Sequence, residues 1–173
     1  MSQNSIPFWN KTWSNTPDRF YPHFDYLVSL LPDKGKILDV GCGNGTLLKY
    51  IKEKKPDLEL EGRDHSDVAM KNLRLRGIKC RVEKLPKITG EADIVIATEV
   101  LEHIKKDMAV LKAMRKITDQ VIITVPNNRL GPNECNEHER LYTAESLEDK
   151  IKKYFDKYVI SDVGGYLLVS TII

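Results

Sequence analysis

Apolar positions in this chain gather into two kinds of run that alternate. Short stretches rich in Val, Ile and Leu, at residues 36–40, 58–62, 78–82, 93–98 and 121–125, are bounded by polar, proline or glycine residues. They predict β-strands. Between most of them the apolar residues recur every three or four positions, which predicts helices. Leu47, Leu48 and Ile51 share one side of a helix that ends before Pro56. A second helix follows Ser66, a good N-cap, and closes at Gly77. A third carries Ile104, Met108, Leu111 and Met114 as an inward stripe with lysines opposite, so the methionines belong to the core. A short helix over 23–31 precedes the first strand and is stopped by Pro32. Strand, helix, strand in repetition predicts a parallel sheet covered on both faces, with ligands at the carboxyl ends of the strands.

Two stretches depart from the alternation. Residues 1–25 hold Phe8, Trp9, Trp13, Phe20, Tyr21 and Phe24 among polar and proline residues, without the spacing of one helical face. They predict an arm or lid ahead of the main fold. Residues 126–142 are polar and aperiodic, and a loop of that length in a compact domain is functional or disordered. After a helix opened by Thr143, the β-rich runs 158–163 and 166–173 flank Gly164 and Gly165. That pair predicts a hairpin, so the sheet should finish antiparallel.

Composition narrows the class without naming a ligand. A chain of 173 residues is one domain's worth, so 1–173 is expected to be a single unit. With 41% hydrophobic residues, 30% charged residues and a net charge of +2, it resembles an ordinary soluble protein and gives no argument for nucleic acid. Cys42, Cys80 and Cys135 are odd in number, far apart and form no CxxC pair, which suits a reducing compartment. No stretch has the length of a membrane span, and the first residues lack the apolar core of a signal peptide. A cytoplasmic location is the expectation.

The chemistry concentrates at ILDVGCGNGTLLKYI, residues 37–51. A glycine turn between strand and helix offers free backbone N–H groups and a positive helix end, usually to phosphate. Here the spacing is GxGxG rather than GxGxxG, and Asp39 stands two residues before the first glycine. Its carboxylate would repel a pyrophosphate at short range and attract a ligand with an ammonium and a sulfonium, which describes S-adenosylmethionine. Asp64 closes the second strand about 20 residues after the glycines, where an acid can accept both ribose hydroxyls. Ser66 already serves as helix cap, so Asp64 is free for a ligand role. His65, beside it, is within reach of the adenosine.

With DVGCGNG, Asp64 and the fourth-strand sequence ATEVLEHI in place, the chain resembles the class I S-adenosylmethionine-dependent methyltransferases of the small type-11-like group, from about residue 36 to its end. The resemblance implies a Rossmann-like, doubly wound, mostly parallel seven-stranded α/β sheet with an antiparallel C-terminal hairpin. It implies that Asp39, Gly41, Cys42, Gly43 and Gly45 hold the methionine part of the cofactor and Asp64 the ribose. Glu83, Lys84 and Leu85 stand where relatives contact adenine, although Arg81 occupies the position of the usual aspartate, so that either Glu83 would substitute for it or backbone groups near Lys84 would make the adenine contacts. Thr98 and Glu99 end the fourth strand beneath the sulfur.

Methyl transfer from a sulfonium is an in-line displacement, so the protein must align the partners and, for a hydroxyl acceptor, remove a proton. His103, after the fourth strand, and His138, in the long loop, would both face the open end of the sheet. Glu99, Glu102 and His103 at i, i+3, i+4 would share a helical face, and with His138 they could bind a divalent cation. Some methyltransferases with ExxEH and a distant histidine hold a metal there, and many carry EVLEH with no metal known. The reading preferred on sequence makes His103 a base or polar wall and assigns no metal ligand. The acceptor is then an oxygen or nitrogen of a small molecule. The alternatives are metal-assisted O-methylation of an RNA end or diol, or a noncatalytic cofactor-binding module. A nicotinamide oxidoreductase is disfavoured by GxGxG with Asp39 and by the lack of a hydride-transfer set.

Overall fold

The computed structural model describes residues 4–172 of the chain. Residues 1–3 and 173, where the expected arm begins and the expected last strand ends, lie outside the described residues. Seven strands form one sheet: β1 (Gly35–Val40), β2 (Leu58–Asp64), β3 (Lys79–Val82), β4 (Ile94–Thr98), β5 (Val121–Pro126), β6 (Val159–Asp162) and β7 (Tyr166–Ser170), in the order β3-β2-β1-β4-β5-β7-β6. The first five run parallel, and β7 pairs antiparallel with both β5 and β6. Both the parallel body and the terminal hairpin agree with the sequence reading.

The interior strands read as continuous apolar runs because each face has its own core. Leu38, Val40, Val95, Ala97, Val121, Ile123 and Val125 point to one side. They meet Val110, Leu111 and Met114 of α5 (Asp107–Ile117) and Leu147 and Ile151 of α6 (Ala144–Ile151). The alternate residues Ile37, Ile94, Ile96 and Ile122 point to the other side. There they meet Leu27 and Val28 of α2 (Phe24–Ser29) and Leu47 and Ile51 of α3 (Thr46–Lys54). Leu48 continues this layer to Ala69, Met70 and Leu73 of α4 (Asp67–Leu75). Ser66 caps α4 by accepting from the Ala69 amide, and Thr143 and Ser146 form a reciprocal capping box on α6.

Two expectations change and a third is narrowed. The aromatic arm contains a helix, α1 (Ile6–Asn15), capped by Ser5, that turns Phe8, Trp9, Thr12 and Trp13 toward a cavity at the sheet's carboxyl edge. The stripe begun at Ile104 is interrupted: a 3-10 turn at Leu101–His103 precedes α5, whose first residue is Asp107. Here the Arg140 guanidinium donates to the carbonyls of Leu101, Ile104 and Lys105, the acceptors a continuous helix would have needed. Finally, the segment 126–142 is ordered by long-range bonds. Asn127 bridges to Tyr142, and the Glu139 amide donates to the Glu102 carbonyl at 2.7 Å.

Candidate functional site

Strand order reverses between β1 and β4, whose neighbours run outward in opposite directions, and the crevice beyond their carboxyl ends is where ligands bind in such sheets. A cavity of about 430 Å³ occupies it, floored by the glycine turn and roofed by α1 and part of the 126–142 segment. Gly41 and Gly43 take left-handed φ of 72° and 52°. A Cβ on Gly41 would stand 2.6 Å from a Val100 methyl, and one on Gly43 would stand 2.6 Å from the Trp13 ring. The turn therefore lets the segment that follows β4 close in beneath it and α1 lie directly on it.

Asp39, at the end of β1, lines the cavity yet is 1% exposed, and its Oδ1 has no hydrogen-bond partner. Burial, and then the neighbouring Asp64, push its carboxyl up to about 8. Asp64 accepts from the Gly43 amide at 3.0 Å through one oxygen and from the Ser66 amide at 2.9 Å through the other. Its carboxylate thus fastens the glycine turn to the start of α4 while keeping lone pairs for a further donor. Cys42, Gly43, His65 and Leu85 also line the cavity. Burial raises the Cys42 thiol, which keeps it neutral.

Gly45, Glu83 and Lys84, which the sequence reading placed at the cofactor, are not among the residues lining this cavity. Glu83 is paired instead, at 2.8 Å with Arg63 and at 3.0 Å with Arg81. Arg63 is 4% exposed and holds Glu61 as well. A buried guanidinium requires such partners, and that need draws Glu83 away from the ligand space.

At the far end of the cavity stand Thr98, Glu99, Glu102, His103 and His138. Glu99 does not join Glu102 and His103 on a helical face: it has φ 55°, accepts from the Thr124 hydroxyl at 3.0 Å, and burial pushes its carboxyl up to about 7. Glu102 is 1% exposed with both carboxyl oxygens unpartnered. The His103 ring bonds through Nδ1 to the Glu137 carbonyl at 3.0 Å and packs edge-to-face on His138, centroids 4.6 Å apart. Burial depresses both imidazoles, His103 to about 4. One candidate ligand atom from each of Glu102, His103 and His138 lies within 4.8 Å of the other two.

Several residues in or beside the cavity lining carried no individual site assignment from the sequence, although the aromatic arm was expected as a lid. Trp9 stacks on Trp13 and meets His103 edge-on at 5.1 Å, so α1 reaches both ends of the cavity. Arg19 lies over the Tyr21 ring at 4.8 Å and Arg129 over Tyr166 at 4.3 Å. Buried between the two tyrosines, His23 is held near 4 by desolvation. The aromatic density of the first 25 residues was the available signal; which of its residues face the cavity follows only from the position of α1.

Fold and glycine turn together define the class, that of the class I S-adenosylmethionine-dependent methyltransferases. Within it the chain belongs to the MetW family, described as methionine biosynthesis protein MetW, whose pattern its residues 21–132 match. It is similar to a malonyl-[acyl-carrier protein] O-methyltransferase of Legionella pneumophila, 23% identical over 147 residues covering 80% of this chain and 51% of the relative. It is also similar to a carboxy-S-adenosyl-L-methionine synthase of Nautilia profundicola, 27% identical over 128 residues covering 70% of this chain and 51% of the relative. The chain thus spans about half the length of the curated relatives it matches. In fold it superposes on the magnesium protoporphyrin IX methyltransferase of Synechocystis, solved with bound S-adenosylhomocysteine. The TM-score is 0.71 at 15% identity, over 96% of this chain and 95% of that one. Among the described residues no helix is long and apolar enough to cross a membrane.

Proposed function

We propose that the chain binds S-adenosylmethionine along the glycine turn and transfers its methyl group to an oxygen or nitrogen of a small acceptor at the His103 end of the cavity. The observation that carries this reading is Asp39, a buried carboxyl with a free oxygen beside a turn of left-handed glycines. A diphosphate would meet an acid there, whereas an ammonium gives that oxygen a partner. Asp64 would take the ribose hydroxyls, with His65 and Leu85 forming the wall beyond it. In the transfer, an acceptor lone pair forms the new bond to carbon as the S–CH3 bond breaks. Its electron pair returns to sulfur to leave the thioether, and the acceptor's proton passes to a neighbouring base or water. The relatives named for methyl transfer, together with the neighbour solved with S-adenosylhomocysteine, support the assignment.

Calorimetry with S-adenosylhomocysteine and NADH tests it directly. The expected result is micromolar binding of the first and none of the second; the reverse would overturn the reading. A cofactor-binding module without turnover is the second reading. Cofactor binding without labelled methyl transfer to any small-molecule pool would select it.

A further inference from the structure

We propose that Glu102, His103 and His138 hold one divalent first-row transition-metal ion whose remaining coordination positions open into the cavity. The set differs from the four-residue arrangement that spacing alone suggests, because Glu99 is turned onto Thr124. Three donors remain, one carboxylate and two imidazoles, with candidate ligand atoms mutually within 4.8 Å.

Independent features of the structure point to an ion. Both Glu102 oxygens and the His138 Nδ1 are buried without a hydrogen-bond partner, three orphaned polar atoms at one place. A buried polar group without a partner is costly, and a cation would satisfy all three at once. His103 is oriented as metal-binding histidines are: Nδ1–H donates to the Glu137 carbonyl, leaving the Nε2 lone pair as its ligand atom. The two segments that carry the donors are also tied to each other. The Glu139 amide donates to the Glu102 carbonyl at 2.7 Å, and Arg140 donates to the Leu101 carbonyl at 2.7 Å. The site is therefore preorganised rather than gathered by the ion. Two nitrogens and one oxygen suit Zn2+, Mn2+, Fe2+ or Co2+ better than Mg2+, which prefers oxygen and retained water. Three protein ligands leave positions for exogenous oxygen. If the methyl-transfer reading holds, on which this clause alone rests, the acceptor is an oxygen ligand such as a hydroxyl or vicinal diol, positioned by the ion beside the methyl group.

Cobalt serves as the probe. The full chain, stripped with chelator, is titrated with Co2+ alone and followed by visible absorption. We expect one ion per chain, a d–d band, and displacement by Zn2+. Glu102→Gln and His138→Ala should each weaken binding by at least about tenfold, the loss that even an outer partner of a metal ligand produces. Cys135→Ser, which alters a nearby thiol outside the set, should leave it unchanged. Absence of Co2+ uptake at millimolar concentration overturns the proposal, as does equal uptake by wild type and Glu102→Gln. Should His138→Ala fail to fold by circular dichroism, the near-isosteric Glu102→Gln decides. S-adenosylhomocysteine binding is measured in parallel without metal. Its retention beside failed Co2+ uptake sinks the ion and spares the cofactor reading, and its loss beside intact uptake does the opposite.

Discussion

At the scale of single residues, Asp39 sets how the site responds to pH. Its carboxyl ionises near 3.8 when unperturbed but is pushed to about 8 in the free fold, so at neutral pH it is mostly protonated. The sign follows: its contribution to stability is fully present below 3.8 and is lost as pH rises through about 8. A bound ammonium reverses the preference, and one proton must leave on binding. We predict that affinity for S-adenosylhomocysteine rises by up to about tenfold per pH unit from pH 6 toward 8 and then levels. Calorimetry in buffers of different ionisation enthalpy should find proton release at pH 7. Asp39→Asn should flatten the profile and weaken binding while leaving the free protein at least as stable at pH 8. A wild-type profile that is flat would place the ammonium elsewhere. Residue identity was legible here because Asp39 and the glycines lie within one strand-turn unit. Glu83 was not legible, because its role depends on Arg63, buried 20 residues away in sequence, and nothing local announces a buried guanidinium.

At the scale of elements, α1 ties the ends of the cavity together from the margin of the core: none of its residues is fully buried, and Trp13 packs on the cluster of Leu48, Met70 and Leu73. Polar contacts add to this, the Ser66 hydroxyl donating to Asn10 at 2.6 Å and the Asn72 amide to the Trp13 carbonyl at 3.1 Å. Its apolar face is completed by a cavity, and for that reason its pattern did not read as a helix. The start of α5 was hidden for a related reason, since Arg140 terminates the preceding turn from 36 residues away. Strands β1, β4 and β5 were legible because burial on both faces leaves almost no polar position to blur them. If α1 is a cover, removing the ring that lies on Gly43 should shorten residence rather than unfold the chain. Trp13→Ala is expected to weaken S-adenosylhomocysteine binding by at least about tenfold, ~1.4 kcal/mol, chiefly through faster dissociation. Stopped-flow displacement reads this. An unchanged dissociation rate would make Trp13 a bystander.

At the scale of the whole molecule, the site joins a rigid floor to a roof held by few contacts. The floor consists of the carboxyl ends of β1 and β4, clamped between two hydrophobic clusters, where Val40, Ile96 and Ala97 have no exposed surface. The roof, α1 with the cavity-facing part of 126–142, rests on side-chain bonds and aromatic faces. Such covers open at lower free energy than the core they sit on. Hydrogen exchange should therefore resolve two responses to ligand. At a concentration 100 times the dissociation constant, amides of β1, β4 and β5, which exchange through global unfolding, should gain about 2.7 kcal/mol of protection. The roof amides, around Phe8–Trp13 and 130–138, should change at short labelling times, because closure over the ligand removes a local opening absent from the core. Protection of the core with no early change in the roof would mean that α1 and the long segment are fixed walls, and the ligand would then have to enter through the gap between them.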